Sequence, residues 1–79
     1  MMTRREHLLK ILEEECGELA HVTSKAMRFG LGDIKPGGRI TNAKEIYLEF
    51  VHIIAMIEML EKENIINPPN EFELVVNKA

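Results

Sequence analysis

One stretch of the sequence, Ile46 to Leu60, limits what this chain can fold into. It reads IYLEFVHIIAMIEML, so apolar residues occupy nearly every position. A helix with this pattern is apolar on almost all sides, and in a protein surrounded by water it needs burial on more than one side. Glu49 and His52 interrupt the run three residues apart, on one helical face. Because burying a charge without a partner costs several kcal/mol, these side chains predict a partner group nearby.

The length of the chain, 79 residues, is short for a self-sufficient core. A domain of this size is marginal unless disulfides, a metal or oligomerisation add stability. Cys16 is the only cysteine, so a disulfide within the chain is excluded and a reducing, cytoplasmic location is expected. We therefore expect metal binding or self-association to supply the remaining stability.

Several classes of protein are not expected from this sequence. The apolar run is shorter than the about 20 residues that span a bilayer, and it carries Glu49 and His52 at its middle, so no membrane partner is expected. The opening segment, MMTRREHLLKILEEE, lacks the uninterrupted apolar core of a signal peptide. The net charge of −3, without a basic block, argues against binding to nucleic acid.

The first predicted helix runs from Thr3 to about Phe29. Thr3 and Glu6 match a capping box, and Gly30 and Gly32 mark the end of the helix. Apolar side chains at spacings of three and four form the buried stripe of an amphipathic helix. This stripe comprises Leu8, Leu12, Leu19, Val22 and Ala26, widened by Leu9, Ile11, Met27 and Cys16, which is therefore expected in the core.

The second predicted helix begins near Ala43 and runs to about Asn64. It follows a loop, GLGDIKPGGRI, whose glycines and proline indicate turns. Asn42 with Glu45 offers a capping box, and Thr41 is the alternative cap.

A C-terminal tail, residues 67–79, is expected to follow a helical domain, residues 1–66. Pro68 and Pro69 stop any helix, and the segment EFELVV is either extended or packs on another chain. The predicted fold is all-α, a two-helix antiparallel hairpin. Because such a hairpin leaves the apolar second helix exposed on its outer side, we expect hairpins to pair into a four-helix bundle, as a dimer or a dimer of dimers.

Two pairs of polar residues predict a metal site between the helices. Glu15 and Glu18 are three residues apart, as are Glu49 and His52. Antiparallel packing would bring both pairs to one point, where carboxylate oxygens suit Mg²⁺. Gly17 costs about 1 kcal/mol relative to alanine in a helix, which favours close approach of a backbone or a ligand there. The plain structural alternative is a solvated acidic face that complements the helix dipole.

The acidic residues also carry a resemblance to a known family. Glu14, Glu15 and Glu18 in EECGE, with Glu49 in the later apolar run, resemble the EExxE and ExxD signature of the all-α nucleoside triphosphate pyrophosphohydrolases, the MazG-like superfamily. The segment from Leu12 to Leu60, including SKAMRFGLGDIKPGGRITNA, is similar to small MazG-like proteins often encoded by bacteriophages. The resemblance implies an Mg²⁺-dependent enzyme that splits the α–β bond of an NTP or dNTP, giving monophosphate and pyrophosphate.

The same resemblance implies roles for individual residues. By position, Glu15, Glu18 and Glu49 would bind the metal, and Glu14 would be a further ligand or orient the attacking water. The fourth ligand in the family is aspartate, and His52 stands in its place. Imidazole suits Mn²⁺, Fe²⁺ or Zn²⁺ better than Mg²⁺, so the change shifts the metal preference, weakens activity or marks a member that has lost it. Mn²⁺ is thus the alternative to Mg²⁺.

Two other functions remain open. Glu49 and His52 form ExxH, the arrangement that ferritin-like di-iron bundles use, so a ferroxidase site across a dimer is one alternative. A catalytically inactive helical interaction module is the other. The hydrolase interpretation is favoured because the resemblance extends beyond the ligands, through the loop.

Two cations near the end of the first helix are candidate phosphate ligands. Lys25 and Arg28 follow Glu18 by seven and ten residues, on roughly the same helical face. Positive charge there would stabilise a transferring phosphoryl group. An equally good interpretation is a solvated helix end whose cations suit the dipole. Phe29 either stacks on a base or packs in the core.

Overall fold

Two α-helices form the regular structure of the chain. The computed structural model describes residues 1–70, in which α1 spans Arg4–Phe29, α2 spans Asn42–Lys62 and no strand occurs. The two helices pack against each other, which confirms the all-α prediction for this range. Neither helix is long and apolar enough to cross a bilayer. The segment EFELVV lies outside the described residues.

The ends of α1 are where the sequence predicts them. The Thr3 hydroxyl accepts a hydrogen bond from the Glu6 N–H at 3.1 Å, and the Glu6 carboxylate accepts one from the Thr3 N–H at 3.4 Å. This reciprocal pair is the predicted capping box. Gly30 ends the helix with a φ of 100°, a backbone conformation that side chains other than glycine rarely adopt.

The ends of α2 differ slightly from the prediction. Thr41 is the cap, since its Oγ1 accepts a hydrogen bond from the Lys44 N–H at 3.2 Å. Asn42, the other candidate cap, is buried and donates from Nδ2 to a carbonyl at the end of α1. The helix stops at Lys62, two residues early, because Asn64 takes a positive φ of 58°.

Contacts at both ends show that the helices are antiparallel. At the open end, Arg4 Nε donates to Glu63 Oε1 at 2.7 Å. At the closed end, Asn42 Nδ2 donates to the Gly30 carbonyl at 2.9 Å. The middle of α1 therefore faces the middle of α2, which is the arrangement that the predicted metal site requires.

The seam between the helices buries few apolar side chains. Within residues 1–70, the buried ones are Leu8, Val22, Ala26 and Leu60. Cys16 was expected in the core but is exposed, because a single partner helix covers only a narrow stripe of α1. The large apolar side chains of α2 that stay 39 to 68 % exposed are Tyr47, Leu48, Phe50, Val51, Ile54 and Met59.

Candidate metal centre

Glu15, Glu49 and His52 meet at the middle of the seam. One ligand atom from each residue lies within 4.8 Å of the other two. His52 Nδ1 is 3.5 Å from Glu15 Oε2 and 3.6 Å from Glu49 Oε2. Two carboxylates and an imidazole from two helices form a donor set that a divalent cation such as Mn²⁺ or Fe²⁺ accepts.

The Glu49 carboxylate is the most enclosed member of this group. Its side chain is 19 % exposed, against 27 % for Glu15 and 55 % for His52. Glu49 Oε2 is buried and has no hydrogen-bond partner among the described residues. Leaving a buried polar atom unpaired costs about 1 to 3 kcal/mol, more when it is charged. A cation would satisfy this oxygen, so the residues present fit a metal site.

Glu15 influences the charge state of Glu49. The Glu15 side chain does most to raise the pKa of Glu49, because a proton on Glu49 allows the two carboxyl groups to share a hydrogen bond. Burial and the negative charge of Glu15 raise this pKa further, while His52 lowers it. In the metal-free site the protonated form of Glu49 therefore persists to a higher pH than in an unperturbed glutamate. Since a metal ligand must be deprotonated, we expect metal affinity to increase with pH.

His52 is more exposed than its apolar sequence context predicts. The apolar run around it suggests a buried imidazole, yet 55 % of the side chain is exposed. Three residues advance a helix by about 300°, so His52 lies about 60° around α2 from Glu49, at the edge of the seam. The site is thus open on one side of the hairpin, which we call the His52 face.

The acidic run of α1 is divided between three directions. Glu13 points away from the seam, and its Oε1 is 2.7 Å from Lys10 Nζ. Glu15 turns inward to the three-residue group. Glu14, predicted as a ligand or water-orienting residue, is exposed and lies outside that group.

Glu18 is the predicted metal ligand that stands apart. It lies about 60° around α1 from Glu15, and because the helices are antiparallel this rotation brings it to the His52 face. The side chain is exposed and outside the three-residue group. The structure therefore brings together three of the four predicted ligands, Glu15, Glu49 and His52.

A cavity of about 370 Å³ lies at the closed end of the hairpin. Its walls include Lys25 and Phe29 from α1, Asp33 and Lys35 from the loop, and Asn42 from α2. Asp33 is not among the residues that the sequence singles out. The available signal was its position as the lone acidic residue in GLGDIKPGGRI.

The two predicted phosphate ligands have different surroundings. Lys25 is half-buried and lines the cavity. Arg28 is exposed, with its guanidinium carbon 5.2 Å from the centre of the Phe29 ring. Phe29 itself is 57 % exposed, so it forms part of the cavity wall and is not a core residue in the hairpin.

Comparison of the chain with known protein families, curated proteins and solved structures found no match. The likeness of EECGE to the MazG-like signature therefore stays a prediction. The geometry of Glu15, Glu49 and His52 is an independent observation on this chain.

Proposed function

We propose that this chain is a divalent-metal-dependent nucleoside triphosphate pyrophosphohydrolase, which converts a (d)NTP and water to (d)NMP and pyrophosphate. The observation that carries the proposal is the group of Glu15, Glu49 and His52, in which a buried oxygen of Glu49 has no hydrogen-bond partner among the residues that the structure describes. Such an oxygen is costly unless a cation or donor meets it. The resemblance of EECGE to the MazG-like signature supplies the reaction.

Five residues have roles in this proposal. Glu15, Glu49 and His52 would hold the cation, with Glu18 as a fourth ligand from the His52 face. Glu14 orients the attacking water. A divalent cation held by these residues would neutralise phosphate charge and orient the leaving pyrophosphate. The imidazole favours Mn²⁺ over Mg²⁺, although either is compatible with the carboxylates.

Lys25 and Arg28 are proposed to bind the phosphates. Lys25 has no hydrogen-bond or ion-pair partner within residues 1–70, so its ammonium group is available. It follows Glu18 by seven residues, about 10 Å along α1. Arg28 is exposed beyond it and would contact the phosphates from the rim.

The test is an assay of the purified chain with each NTP and dNTP, in Mg²⁺ and separately in Mn²⁺. We expect release of monophosphate and pyrophosphate, faster with Mn²⁺. Glu49→Gln should abolish it, because the variant removes the most enclosed ligand. Glu58→Gln is the matched control, since Glu58 is exposed on the same helix and outside the site.

The variants also decide which residues take part. Loss of release in Glu18→Gln supports Glu18 as the fourth ligand, and retention restricts the site to the three residues in contact. Release that survives in Glu49→Gln places the chemistry elsewhere. If the unmodified chain releases no pyrophosphate with either metal, the hydrolase proposal is wrong for these substrates.

A ferritin-like di-iron site is a second candidate function. The observation that favours it is the 3.5 Å distance between the His52 imidazole and the Glu15 carboxylate. Glu49 and His52 form ExxH on α2, and Glu15 adds a glutamate from α1, as in di-iron bundles. Stopped-flow mixing of the anaerobic Fe²⁺-loaded chain with O₂ tests it. Rapid Fe²⁺ oxidation without nucleotide supports a ferroxidase, and oxidation at the rate of free Fe²⁺ rejects it. Failure of both activities leaves the catalytically inactive interaction module.

We further propose that hairpins associate into a four-helix bundle in a reducing cytoplasm, as a dimer or a dimer of dimers. Four large apolar side chains are exposed on the side of the hairpin opposite the His52 face, where helical periodicity groups them. They are Leu9 at 40 %, Met27 at 84 %, Phe50 at 50 % and Ile54 at 39 % exposed. Association through this side covers the apolar surface and leaves His52 open to substrate.

Sedimentation equilibrium of two lysine variants tests the association. Phe50 and Leu48 are 50 % and 47 % exposed but lie on opposite sides of α2. Phe50→Lys should give a monomer, whereas Leu48→Lys should keep the oligomer. The reverse result would show that the partner covers the His52 face.

A further inference from the structure

The cavity at the closed end of the hairpin is lined by three charged side chains, of which Lys35 forms an ion pair with Glu45. Its volume, about 370 Å³, lies at the lower end of the range for small-molecule pockets, roughly 300 to 1,000 Å³. Lys25 and Asp33 line it, and within the described residues neither has a hydrogen-bond or ion-pair partner for its side chain. Phe29, Ile34 and Pro36 supply apolar walls. An exposed ring, a free acceptor and a free cation indicate a site for a polar aromatic ligand.

Backbone hydrogen bonds hold the wall that carries Asp33. The Asp33 N–H donates to the Gly30 carbonyl at 3.3 Å, and the Asp33 carbonyl accepts from the Asn42 N–H at 2.8 Å. The Ala43 N–H donates to the Leu31 carbonyl at 3.0 Å. The first amides of α2 are therefore occupied, so they offer no anion site, and recognition in the cavity depends on side chains. A cavity held in this way loses little entropy when a ligand binds.

The cavity and the metal centre open on the same face. Lys25 and Phe29 follow Glu18 by seven and eleven residues, spacings that keep all three on one flank of α1. The rise of a helix puts Lys25 about 10 Å beyond Glu18 and Phe29 about 6 Å further. The Glu18 carboxylate, the Lys25 ammonium group and the Phe29 ring therefore lie in this order along α1. A bound nucleotide has its metal-bound phosphates, its inner phosphate and its base in the same order.

We infer that this cavity binds the base of a guanine nucleotide. An ionised carboxylate such as Asp33 only accepts hydrogen bonds, and guanine presents adjacent N–H donors at N1 and at its 2-amino group. Phe29 provides a stacking surface for the base, and Lys25 contacts the phosphate next to the sugar. The placement of the phosphates rests on the proposed function, whereas recognition of the base depends on the cavity alone.

Titration of the ¹⁵N-labelled full chain in EDTA tests the base site without catalysis. GMP, IMP and AMP are compared, because IMP lacks only the 2-amino group and AMP lacks the N1–H as well. We expect GMP to bind about tenfold more tightly than IMP, the usual value of one hydrogen bond to a charged group, and AMP to bind most weakly. Chemical-shift changes should concentrate in residues 25–42.

Three variants complete the test. Asp33→Asn keeps the backbone hydrogen bonds and should remove the preference for GMP, whereas Glu58→Gln makes the same charge change on α2 and should not. Phe29→Leu should weaken the binding of all three nucleotides while keeping the order of their affinities. Equal affinities for the three nucleotides, shifts outside residues 25–42, an unchanged preference in Asp33→Asn, or no GMP binding would each overturn the assignment.

The two proposals fail separately. If GMP binding depends on Asp33 but the chain releases no pyrophosphate, the proposed hydrolase activity is wrong and the guanine site stands. Pyrophosphate release at equal rates from all bases, unchanged in Asp33→Asn, overturns the guanine site and keeps the hydrolase.

Discussion

The closed end of the hairpin and the middle of its seam differ in whether their buried polar groups have hydrogen-bond partners. At the closed end, Asn42 is 2 % exposed, and both its backbone N–H and its Nδ2 donate to carbonyls of the loop. In the middle, Glu49 Oε2 is buried and no group in residues 1–70 donates a hydrogen bond to it. The polar group that holds the fold is satisfied by the chain itself. The polar group in the middle keeps an oxygen that no donor within residues 1–70 satisfies.

The open end shows what the seam looks like where no site is built. Leu8 and Leu60 are buried there, at 3 % and 0 % exposure, and within residues 1–70 the exposed Arg4–Glu63 pair joins the two helices at this end. Exposed ion pairs contribute little to stability, so apolar packing holds this end. The two ends thus stabilise the hairpin, and the middle is free to carry charge.

The largest effect on stability is expected from the packed open end. Leu60→Ala should lower the free energy of unfolding by about 3 to 5 kcal/mol, because it leaves a cavity beneath a fully buried side chain. Chemical denaturation measures this. Met59→Ala, at a position 41 % exposed, is the control and should cost far less at the same protein concentration. Equal losses would mean that self-association buries Met59 as fully as Leu60.

The middle of the seam should respond in the opposite direction. Glu49→Gln removes a carboxyl group whose deprotonation burial and the neighbouring Glu15 oppose, so the metal-free variant should be as stable as the unmodified chain or more stable. Its Mn²⁺ affinity should fall at least about 100-fold, since even residues that only support metal ligands cost 10- to 100-fold when changed. Calorimetric titration with Mn²⁺ measures this against Glu58→Gln. A destabilised variant with unchanged Mn²⁺ affinity would make Glu49 a structural residue.

The helices could be predicted because their signals are local. The Thr3–Glu6 capping box, Gly30 and the spacing of apolar residues each act within a few turns, and the structure has α1 where they place it. The position of Cys16 could not be predicted in this way. Whether an apolar flank is buried depends on how many helices cover it, and the single hairpin covers one stripe.

The candidate site also contains residues that local signals predict and one residue that only the folded chain places. Glu15, Glu49 and His52 come together because spacing on each helix and antiparallel packing suffice to place them. The position of Asp33 could not be predicted, because the residues of a loop have no periodic spacing that indicates which of them lie together. Its position follows from hydrogen bonds to α2 that only the folded chain reveals.

A smaller effect is expected from the closed end. Asn42→Ala should cost about 0.5 to 1.5 kcal/mol, because it removes the part-buried hydrogen bond from Asn42 Nδ2 to the Gly30 carbonyl. Thermal denaturation measures the loss, with Asn67→Ala at an exposed position as the control. An effect no larger than the control would show that water replaces the amide, and the closed end would then not differ from the middle.

The smallest effect, and the one that compares the two regions most directly, is the pH dependence of stability. The pKa of Glu49 is raised from its ordinary value of 4.5, so the metal-free folded state binds more protons than the unfolded chain above that pH. Stability should therefore fall as pH rises from about 4.5 through the raised pKa of Glu49. Asn42→Ala should keep this dependence, whereas Glu49→Gln should lose it.

Saturating Mn²⁺ should reverse the sign of the pH dependence in the unmodified chain, because the cation binds the deprotonated carboxylate. Denaturation midpoints from pH 4 to 8 with and without Mn²⁺ measure both effects. The same slope in both conditions would mean that the unpaired oxygen of Glu49 does not face a metal.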